Sequence, residues 1–453
     1  MGDELIQNRS SITMPSPPLS SHHPPRIWRK QLSKAIDASL LLEEKLRRSK
    51  ESYNLKIILI GPKQCGKTTL LKGLRNCCAP KAFKVEADVW RPVIRLNLVR
   101  TMNFVTNLVL HSQPRRTTSD DRQSAPPILP SGLRQLAETV ASVLREVEET
   151  LLNCIAPPEK ILQAGWYPLN RVAEFSSGHT LIPFRREHMR EEERRADQLL
   201  SACVHDMHAL WTADMIQQIL VEQNVALQNQ PGFFLDDLRR ICDAGYVPTT
   251  SKDDILRTRV HNPFIVCPGK HEIERESPFP WAFRSLTVYE MRSRCTISDR
   301  APWAQFVDNV DCLIFLIPIS AFDETHYENE TGVEINRLEA SLNHWRLLCS
   351  KKLLASVQFT VCLNKIDIFT RKIESGKQFS KYVTSYGRQP NDPEAIIEYI
   401  CRKVQGIHKK SSPRGRNLHL HCICATDPTA VLSVMSGLRA DITAKTLYQG
   451  HFL

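Results

Sequence analysis

Short apolar runs alternate with helical segments in the second half of the chain. The strand-like runs are "LTVYE" (286–290), "VDCLIFLIP" (310–318), "VQFTVCL" (357–363) and "LHLHCIC" (418–424). A further apolar run, Leu55 to Ile60, lies near the start of the chain. Because strands that alternate with helices form parallel sheets, the pattern predicts an α/β fold with a doubly wound, mostly parallel sheet.

A long stretch without strand signals separates the first apolar run from the others. Its apolar residues fall at helical spacing, as at Ile94, Leu98, Val105 and Leu108, and further helices are predicted at "ADQLLSACVHDMHALW" (196–211) and "GFFLDDLRRICDAGY" (232–246). We therefore predict an all-helical domain, residues 83–250, inserted between two parts of the α/β domain, residues 54–82 and 251–453. A Pro/Ser/Thr-rich segment at about 112–131 predicts a disordered loop within the insertion.

The first fifty residues differ from the rest of the chain. Residues 1–27 are rich in Ser and Pro, which predicts a disordered tail. Residues 28–53 carry apolar side chains at heptad-like spacing on a charged background. This pattern predicts an amphipathic helix that packs on its own domain or on a partner.

Charge and cysteine content narrow the class of protein. The net charge is +11, but basic residues are interspersed with acidic ones, which favours solvated surfaces over a nucleic-acid interface. The 14 cysteines include no C-x-x-C pair, so we expect reduced thiols and a cytoplasmic protein. The clusters "HLHCIC" and "CVHDMH" resemble metal ligands, but their spacing favours a strand and a helix. No apolar run reaches the ~18 residues of a membrane span.

The segment "GPKQCGKTT" follows the first apolar run and has the spacing G-x-x-x-x-G-K-T. Backbone N–H groups of such a loop surround a phosphate, the Lys67 ammonium meets the β- and γ-phosphates, and the Thr68 hydroxyl ligates Mg²⁺. A buried strand before the loop and a helix after it support this interpretation. The candidate phosphate-binding residues are Gly61, Lys63, Gln64, Cys65, Gly66, Lys67, Thr68 and Thr69.

The segment "NKID" directly follows the third strand-like run of the second half. The Asp367 carboxylate can accept hydrogen bonds from N1–H and the 2-amino group of guanine, whereas adenine offers neither donor at these positions. We expect Asn364 to contact the base edge and the Lys365 stem to cover the base. After the last strand, the Ala425 N–H of "CAT" (424–426) is expected to meet the guanine oxygen. The combination predicts a guanine nucleotide.

With these motifs the chain resembles the alpha subunits of heterotrimeric G proteins and looks most like fungal members. The resemblance also rests on "SKAID", "DDILRTRV", "PWAQFVDNVDCLIF" and "HCICATDPTAV". It implies a Ras-like P-loop GTPase domain with an inserted all-helical domain. It further implies GTP/GDP and Mg²⁺ as ligands, and a signalling switch downstream of G-protein-coupled receptors.

The resemblance assigns further residues to the nucleotide site. Leu256, Arg257 and Thr258 would line it, and Arg259 would be a built-in arginine finger that stabilises charge on the transferred phosphoryl group. Asn262 occupies the position of a threonine that ligates Mg²⁺ in the family, and its amide oxygen can also ligate the ion.

Two departures from the family concern hydrolysis. Lys63 replaces a glycine beside the γ-phosphate, and "EMRSR" (290–294) offers neither the glycine nor the glutamine of the family's second switch. We therefore predict that GTP hydrolysis is slow or absent. A non-catalytic scaffold that binds GTP or GDP remains an alternative. An unrelated P-loop ATPase is a third, and "NKID" disfavours it.

The resemblance also implies partners: a beta-gamma dimer, a seven-helix receptor and a downstream effector. The helical C-terminal segment, residues 430–453, ends in apolar residues that suit a receptor-contacting tip or packing on the sheet. Gly2 is present, but Ile6 stands where a myristoylation signal needs Ser or Thr. We expect at most weak contact with the cytoplasmic face of the plasma membrane, through basic residues between Arg26 and Lys34.

Overall fold

The computed structural model describes most of the chain beyond residue 53. The described residues are 54–85, 87–111, 130–155, 183–223, 225–230, 232–249, 254–258, 269–274, 285–291, 310–327, 334–355, 357–413 and 415–448. The expected N-terminal tail and helix and nearly all of the Pro/Ser/Thr-rich segment lie outside them.

Eight strands lie within the described residues and form one large and one small sheet. They are β1 (Asn54–Ile60), β2 (Gly269–Glu274), β3 (Ser285–Glu290), β4 (Cys312–Pro318), β5 (Thr325–Tyr327), β6 (Glu334–Asn336), β7 (Gln358–Asn364) and β8 (Leu418–Ile423). The large sheet has the order β2-β3-β1-β4-β7-β8, and all its neighbours pair in parallel except β2 with β3. The predicted doubly wound, mostly parallel sheet is confirmed.

Thirteen helices are described. They are α1 (Lys67–Cys78), α2 (Pro80–Val85), α3 (Ala87–His111), α4 (Ser131–Ile155), α5 (Pro183–Thr212), α6 (Asp214–Glu222), α7 (Leu238–Ile241), α8 (Asp254–Arg257), α9 (Arg337–Ser350), α10 (Ile366–Glu374), α11 (Phe379–Tyr382), α12 (Pro393–Ser411) and α13 (Pro428–Tyr448). Between β1 and β2 the described residues contain helices and no strand, in agreement with the predicted helical insertion. The domain boundaries themselves remain a prediction.

The central strands are apolar because both faces of the sheet are covered by helices. Every residue of β4 is buried, and Ile57 and Ile58 of β1 are fully buried although they point to opposite faces. The register aligns Leu59 with Glu290, and Asn364 with Ile423. The carboxyl ends of β1, β3, β7 and β8 therefore meet at one edge of the sheet, where parallel α/β folds bind ligands.

The helical insertion has its own packed interior. Helices α3, α4 and α5 pack on one another, and Leu98, Leu144 and Met207 are fully buried there. The buried guanidinium of Arg95 donates to the Asp197 carboxylate and to the backbone carbonyls of Ile241 and Asp243. One cation thus links α3 to α5 and to the segment that leads back to the sheet.

Three elements differ from the sequence prediction. Strand β2 and the β5–β6 hairpin were not predicted, because β2 has a largely polar sequence and the two hairpin strands have three residues each. The helix expected at residues 232–246 is shorter: only a 3₁₀ turn, Leu235–Asp237, and the four-residue α7 form there. Among the described helices, none is both long and apolar enough to span a bilayer.

Helices α1 and α13 cross at a glycine. A Cβ atom at Gly73 would lie 2.9 Å from Cγ2 of Val431. We expect Gly73→Ala to lower the free energy of unfolding by up to about 2 kcal/mol, because overpacking costs ~1–3 kcal/mol and the helix propensity gained offsets only about 1 kcal/mol of it. Urea denaturation measures the change.

Gly406→Ala is the matched control. Gly406 lies inside α12 with open space around its Cα, so the same substitution should raise stability by about 0.5–1 kcal/mol. Equal effects of the two substitutions would contradict the close crossing of α1 and α13.

Candidate nucleotide-binding site

A pocket of about 570 Å³ opens at the carboxyl edge of the large sheet. This volume lies within the usual range of small-molecule sites. Its wall combines the loop after β1, the segment 228–236 of the helical insertion, α8 and Thr258, the end of β3, the start of α10 and the loop after β8. Six segments from different parts of the chain therefore face one cavity.

The loop between β1 and α1 has the backbone of a phosphate cradle. Gly66 has a φ of +100°, and a Cβ there would lie 2.3 Å from Nδ2 of Asn364. A Cβ at Gly61 would lie 2.7 Å from the carbonyl oxygen of Leu316. Gln64 also adopts a left-handed conformation, with φ +63°. Glycines are required at both ends because neighbouring groups approach the backbone closely.

Lys67 is buried and bound to its own loop. Its Nζ donates to the carbonyl oxygens of Gly61 at 2.7 Å and Pro62 at 3.0 Å. By contrast, the Lys63 side chain is exposed and is not part of the pocket wall, while its carbonyl oxygen accepts from Arg337 at 2.7 Å. The Lys67 ammonium at the start of α1 is thus held within the loop. The Lys63 side chain lies on the outside of the loop.

Thr68 faces a carboxylate that the sequence analysis did not assign to the site. Its Oγ1 donates to Oε1 of Glu290 at 2.8 Å. Burial raises the pKa of Glu290, against the hydrogen bond from Thr68 and the charges of Lys67 and Lys72. A signal was available, because Glu290 ends a strand predicted to lie in the same parallel sheet as the strand before the phosphate loop.

Asn364 joins the phosphate loop to the loop after β8. Its Nδ2 donates to the carbonyl oxygen of Cys65 at 2.7 Å, and its Oδ1 accepts from the backbone N–H of Ala425 at 3.0 Å. We expected Asn364 at the base edge and the Ala425 N–H at the guanine oxygen. In the structure the two groups bond to each other, so the amide of Asn364 acts first as a bridge within the protein.

Lys365 and Asp367 form the far end of the pocket. Lys365 adopts a left-handed conformation, with φ +66°, immediately before α10, and burial lowers its pKa. Asp367 lies in the first turn of α10 and is half exposed, with Arg371 3.4 Å away as its ion-pair partner. An exposed pair of this length holds a carboxylate only weakly, which leaves Asp367 open to a ligand.

The segment around α8 is clamped at both ends. The buried Asp254 carboxylate accepts from Arg240 at 2.7 and 2.8 Å and from the Tyr246 hydroxyl at 3.1 Å. At the other end the buried Lys72 ammonium donates to the carbonyl oxygens of Ile255 and Thr258. These contacts fix the backbone of Leu256–Thr258, the segment that lines the pocket.

Lys72 supports this segment from α1. Its Nζ also lies 4.3 Å from the ring centroid of Trp90, a cation–π contact. Burial lowers the pKa of Lys72 to about 7, while the charge of Glu290 acts in the opposite direction.

Arg257 has one group left for a ligand. Its Nη2 donates to Asp237 at 2.8 Å and its guanidinium lies over the Phe234 ring, whereas its Nε is buried without a hydrogen-bond partner among the described residues. An unpaired buried donor in a pocket wall suits an anionic ligand. Arg259 and Asn262 lie outside the described residues, and their roles stay predictions.

The helical insertion supplies wall residues that sequence reasoning missed. Gln228, Phe233 and Asp236 line the pocket opposite the phosphate loop. Asp236 also accepts from the Trp211 indole at 3.1 Å. These residues carry no recognisable motif, so only the folded chain reveals them.

Removal of the buried carboxylate Asp254 tests the clamp. Burial acts to raise its pKa, but hydrogen bonds from Arg240, Thr249 and Tyr246 outweigh this and keep the pKa below its usual value. Asp254→Ala should cost about 3–5 kcal/mol at pH 7, because it leaves Arg240 without its buried partner. The measurement is denaturant unfolding as a function of pH.

The pH dependence has a defined sign. A depressed native pKa stabilises the fold above the unfolded value of about 4, and this contribution is lost as pH falls through the native pKa. The difference between wild type and Asp254→Ala should therefore shrink towards pH 2. Glu222→Ala on the exposed face of α6 is the control, with a change within ~0.5 kcal/mol. A pH-independent difference would argue against the clamp.

Comparisons with known proteins agree with this geometry. A family model described as the G-protein alpha subunit matches residues 30–442. The alpha-2 subunit of a guanine nucleotide-binding protein from Neurospora crassa is 22% identical over 418 residues, 92% of this chain and 95% of the relative. The G(o) subunit alpha of Caenorhabditis elegans is 24% identical over 416 residues, 91% of this chain and 95% of that protein. The chain belongs to the G-protein alpha subunit family.

Proposed function

We propose that this chain is a guanine nucleotide-binding switch in signal transduction whose GTP hydrolysis is slow or absent. The family binds guanine nucleotides and acts in signalling. The observation that carries the proposal is the Asn364 bridge, which brings the phosphate loop and the predicted base-binding residues to one pocket.

The shape and chemistry of the pocket support a nucleoside phosphate. The phosphate end offers the backbone of Gly61–Thr69, whose glycine positions leave no room for a Cβ. At the other end the Asp367 carboxylate is hydrogen-bonded to the Cys424 thiol and forms a half-exposed ion pair with Arg371. Guanine has two adjacent N–H donors that satisfy one carboxylate, and adenine would leave it unpaired at a cost of roughly 1–3 kcal/mol.

The donor set near Thr68 suits Mg²⁺. Thr68 and Glu290 place a hydroxyl and a carboxylate 2.8 Å apart, and Mg²⁺ prefers such oxygen ligands. Bound there with the phosphates, the ion would neutralise charge on them. Thr68 and Glu290 are our candidates to hold it, together with Asn262, which lies outside the described residues.

Two departures from the family argue for slow hydrolysis. Lys63 adds a cation to the phosphate loop where the family has a glycine, and no glycine or glutamine stands at residues 290–294. Without a side chain that orients water, a retained Arg259 would stabilise phosphoryl charge but not position the nucleophile. The same substitutions favour the alternative, a non-catalytic scaffold that keeps GTP or GDP as a structural ligand.

Membership in the family indicates the general classes of binding partner. Its members act in heterotrimeric G proteins with a beta-gamma dimer and seven-helix receptors. For this chain we propose that α13 contacts a receptor and that a downstream effector responds to the nucleotide state. Location at the cytoplasmic face of the plasma membrane belongs to the same proposal.

Substitution of the predicted base-reading carboxylate tests the nucleotide. Asp367→Asn should weaken GDP binding about 10- to 100-fold. The amide keeps one acceptor oxygen but turns an NH2 group towards the second of the two N–H donors of guanine, so one hydrogen bond is lost. Glu374→Gln, on the exposed face of the same helix, removes the same charge and should leave affinity unchanged. Fluorescence titration with labelled GDP measures both. Unaltered binding by Asp367→Asn would refute guanine recognition by this residue.

A single-turnover assay of GTP hydrolysis tests the proposal that hydrolysis is slow or absent. Purified protein loaded with GTP and Mg²⁺ should hydrolyse GTP at a rate well below ~10⁻² s⁻¹, the general rate of alpha subunits that carry their own catalytic arginine. Arg294→Gln alone should not restore this rate, because residues 290–294 still lack the glycine of the family's second switch and Lys63 still stands in the phosphate loop. An ordinary family rate in the wild type would overturn the proposal of slow hydrolysis. Equal binding of partners in the GTP and GDP states would select the scaffold over the switch.

A further inference from the structure

Two cysteine sulfurs lie next to each other at the edge of the large sheet. Cys401 on α12 and Cys422 on β8 have their Sγ atoms 3.9 Å apart. Cys422 is exposed and Cys401 is half-buried. Strand β8 is the last strand of the sheet, so a small reagent can reach the pair from the open edge.

The surroundings of the pair favour reaction at Cys422. The hydrogen bond between the two sulfurs lowers the pKa of Cys422 and raises the pKa of Cys401. A thiolate is the reactive form of cysteine. By comparison, burial raises the pKa of the half-buried Cys77 on α1 to about 11, which makes that thiol a poorer nucleophile.

We propose that Cys401 and Cys422 are a site of reversible oxidation that forms a disulfide on reaction with a low-molecular-weight disulfide such as oxidised glutathione. The Cys422 thiolate attacks one glutathione sulfur, and the glutathione S–S bond breaks to release one thiolate. Cys401 then loses its proton and attacks the Cys422 sulfur, which releases the second glutathione. The two protein thiols together lose two electrons, which reduce the glutathione disulfide. Their two protons end on the two glutathione thiols that are released.

The position of the pair links oxidation to the pocket. Cys422 lies two residues before Cys424, and Cys424 to Thr426 form part of the pocket wall. The Ala425 N–H bonds to Asn364, so the end of β8 is also joined to the phosphate loop. A cross-link between β8 and α12 would restrain the strand that leads into the loop of residues 424–426. On the basis of the proposed function, the disulfide should slow the release of bound guanine nucleotide.

The direct test measures the cross-link by mass spectrometry. Full-length protein treated with oxidised glutathione, then alkylated and digested, should yield a peptide pair joined through Cys401 and Cys422. Dithiothreitol should reverse the link. Cys401→Ser and Cys422→Ser should each abolish it, whereas the control Cys77→Ser should retain it. Glutathione carried only at Cys424 or Cys77, or no linked pair, would overturn the proposal.

A second readout separates this inference from the proposed function. Release of labelled GDP should slow at least about fivefold in the oxidised wild type, the lower end of usual couplings between sites. The two serine variants should show no change on oxidation. A cross-link with unaltered release would overturn the coupling to the pocket. A cross-link in a protein that binds no guanine nucleotide would contradict only the proposed function.

Discussion

The hydrogen bonds of the Asn364 amide organise the site. One end of this side chain holds the carbonyl oxygen of Cys65 and the other holds the N–H of Ala425. Three loops that leave the sheet after β1, β7 and β8 are thereby fixed relative to one another. The close packing explains why Gly66 must lack a side chain, since a Cβ would meet the same amide at 2.3 Å. The geometry of both ends of the pocket depends on this bridge.

A second constraint concerns the side of the pocket formed by the helical insertion. The insertion must connect back to the sheet through α8, and buried charges hold α8 at both ends. Asp254 is bound by Arg240, and Lys72 binds the carbonyl oxygens of Ile255 and Thr258. Because Lys72 belongs to the helix that begins at the phosphate loop, the connecting segment and the phosphate cradle are mechanically linked. In this chain a few buried charged side chains thus hold the segment that connects the helical insertion to the sheet.

Much of the fold was predictable from the sequence, and the reasons are local. Strand β4 is buried on both faces, so its sequence is a continuous apolar run, and the nearly fully buried β7 is rich in apolar residues. Strand β2 could not be recognised, since its sequence "GKHEIE" is mostly polar and its antiparallel pairing with β3 leaves no trace in periodicity. The helix expected at 232–246 is interrupted where Asp236 bonds to Trp211 and Asp237 bonds to Arg257. Such long-range contacts override local helix propensity.

The candidate site was predictable where a motif fixes the chemistry. The phosphate loop, Asn364 and Asp367 were found by spacing after strands. Glu290 was missed as a site residue because its role follows from the pairing of β1 with β3 and from its hydrogen bond to Thr68. Gln228 and Phe233 were missed because they reach the pocket from a different part of the chain.

Calorimetric titration of the purified chain with GDP and with ADP, both in the presence of Mg²⁺, tests the central claim most directly. If one pocket holds phosphate at Lys67 and guanine at Asp367, GDP should bind about 5- to 150-fold more tightly than ADP, which corresponds to the ~1–3 kcal/mol cost of an unpaired carboxylate. Equal affinities, or no uptake of GDP at millimolar concentration, would contradict the account.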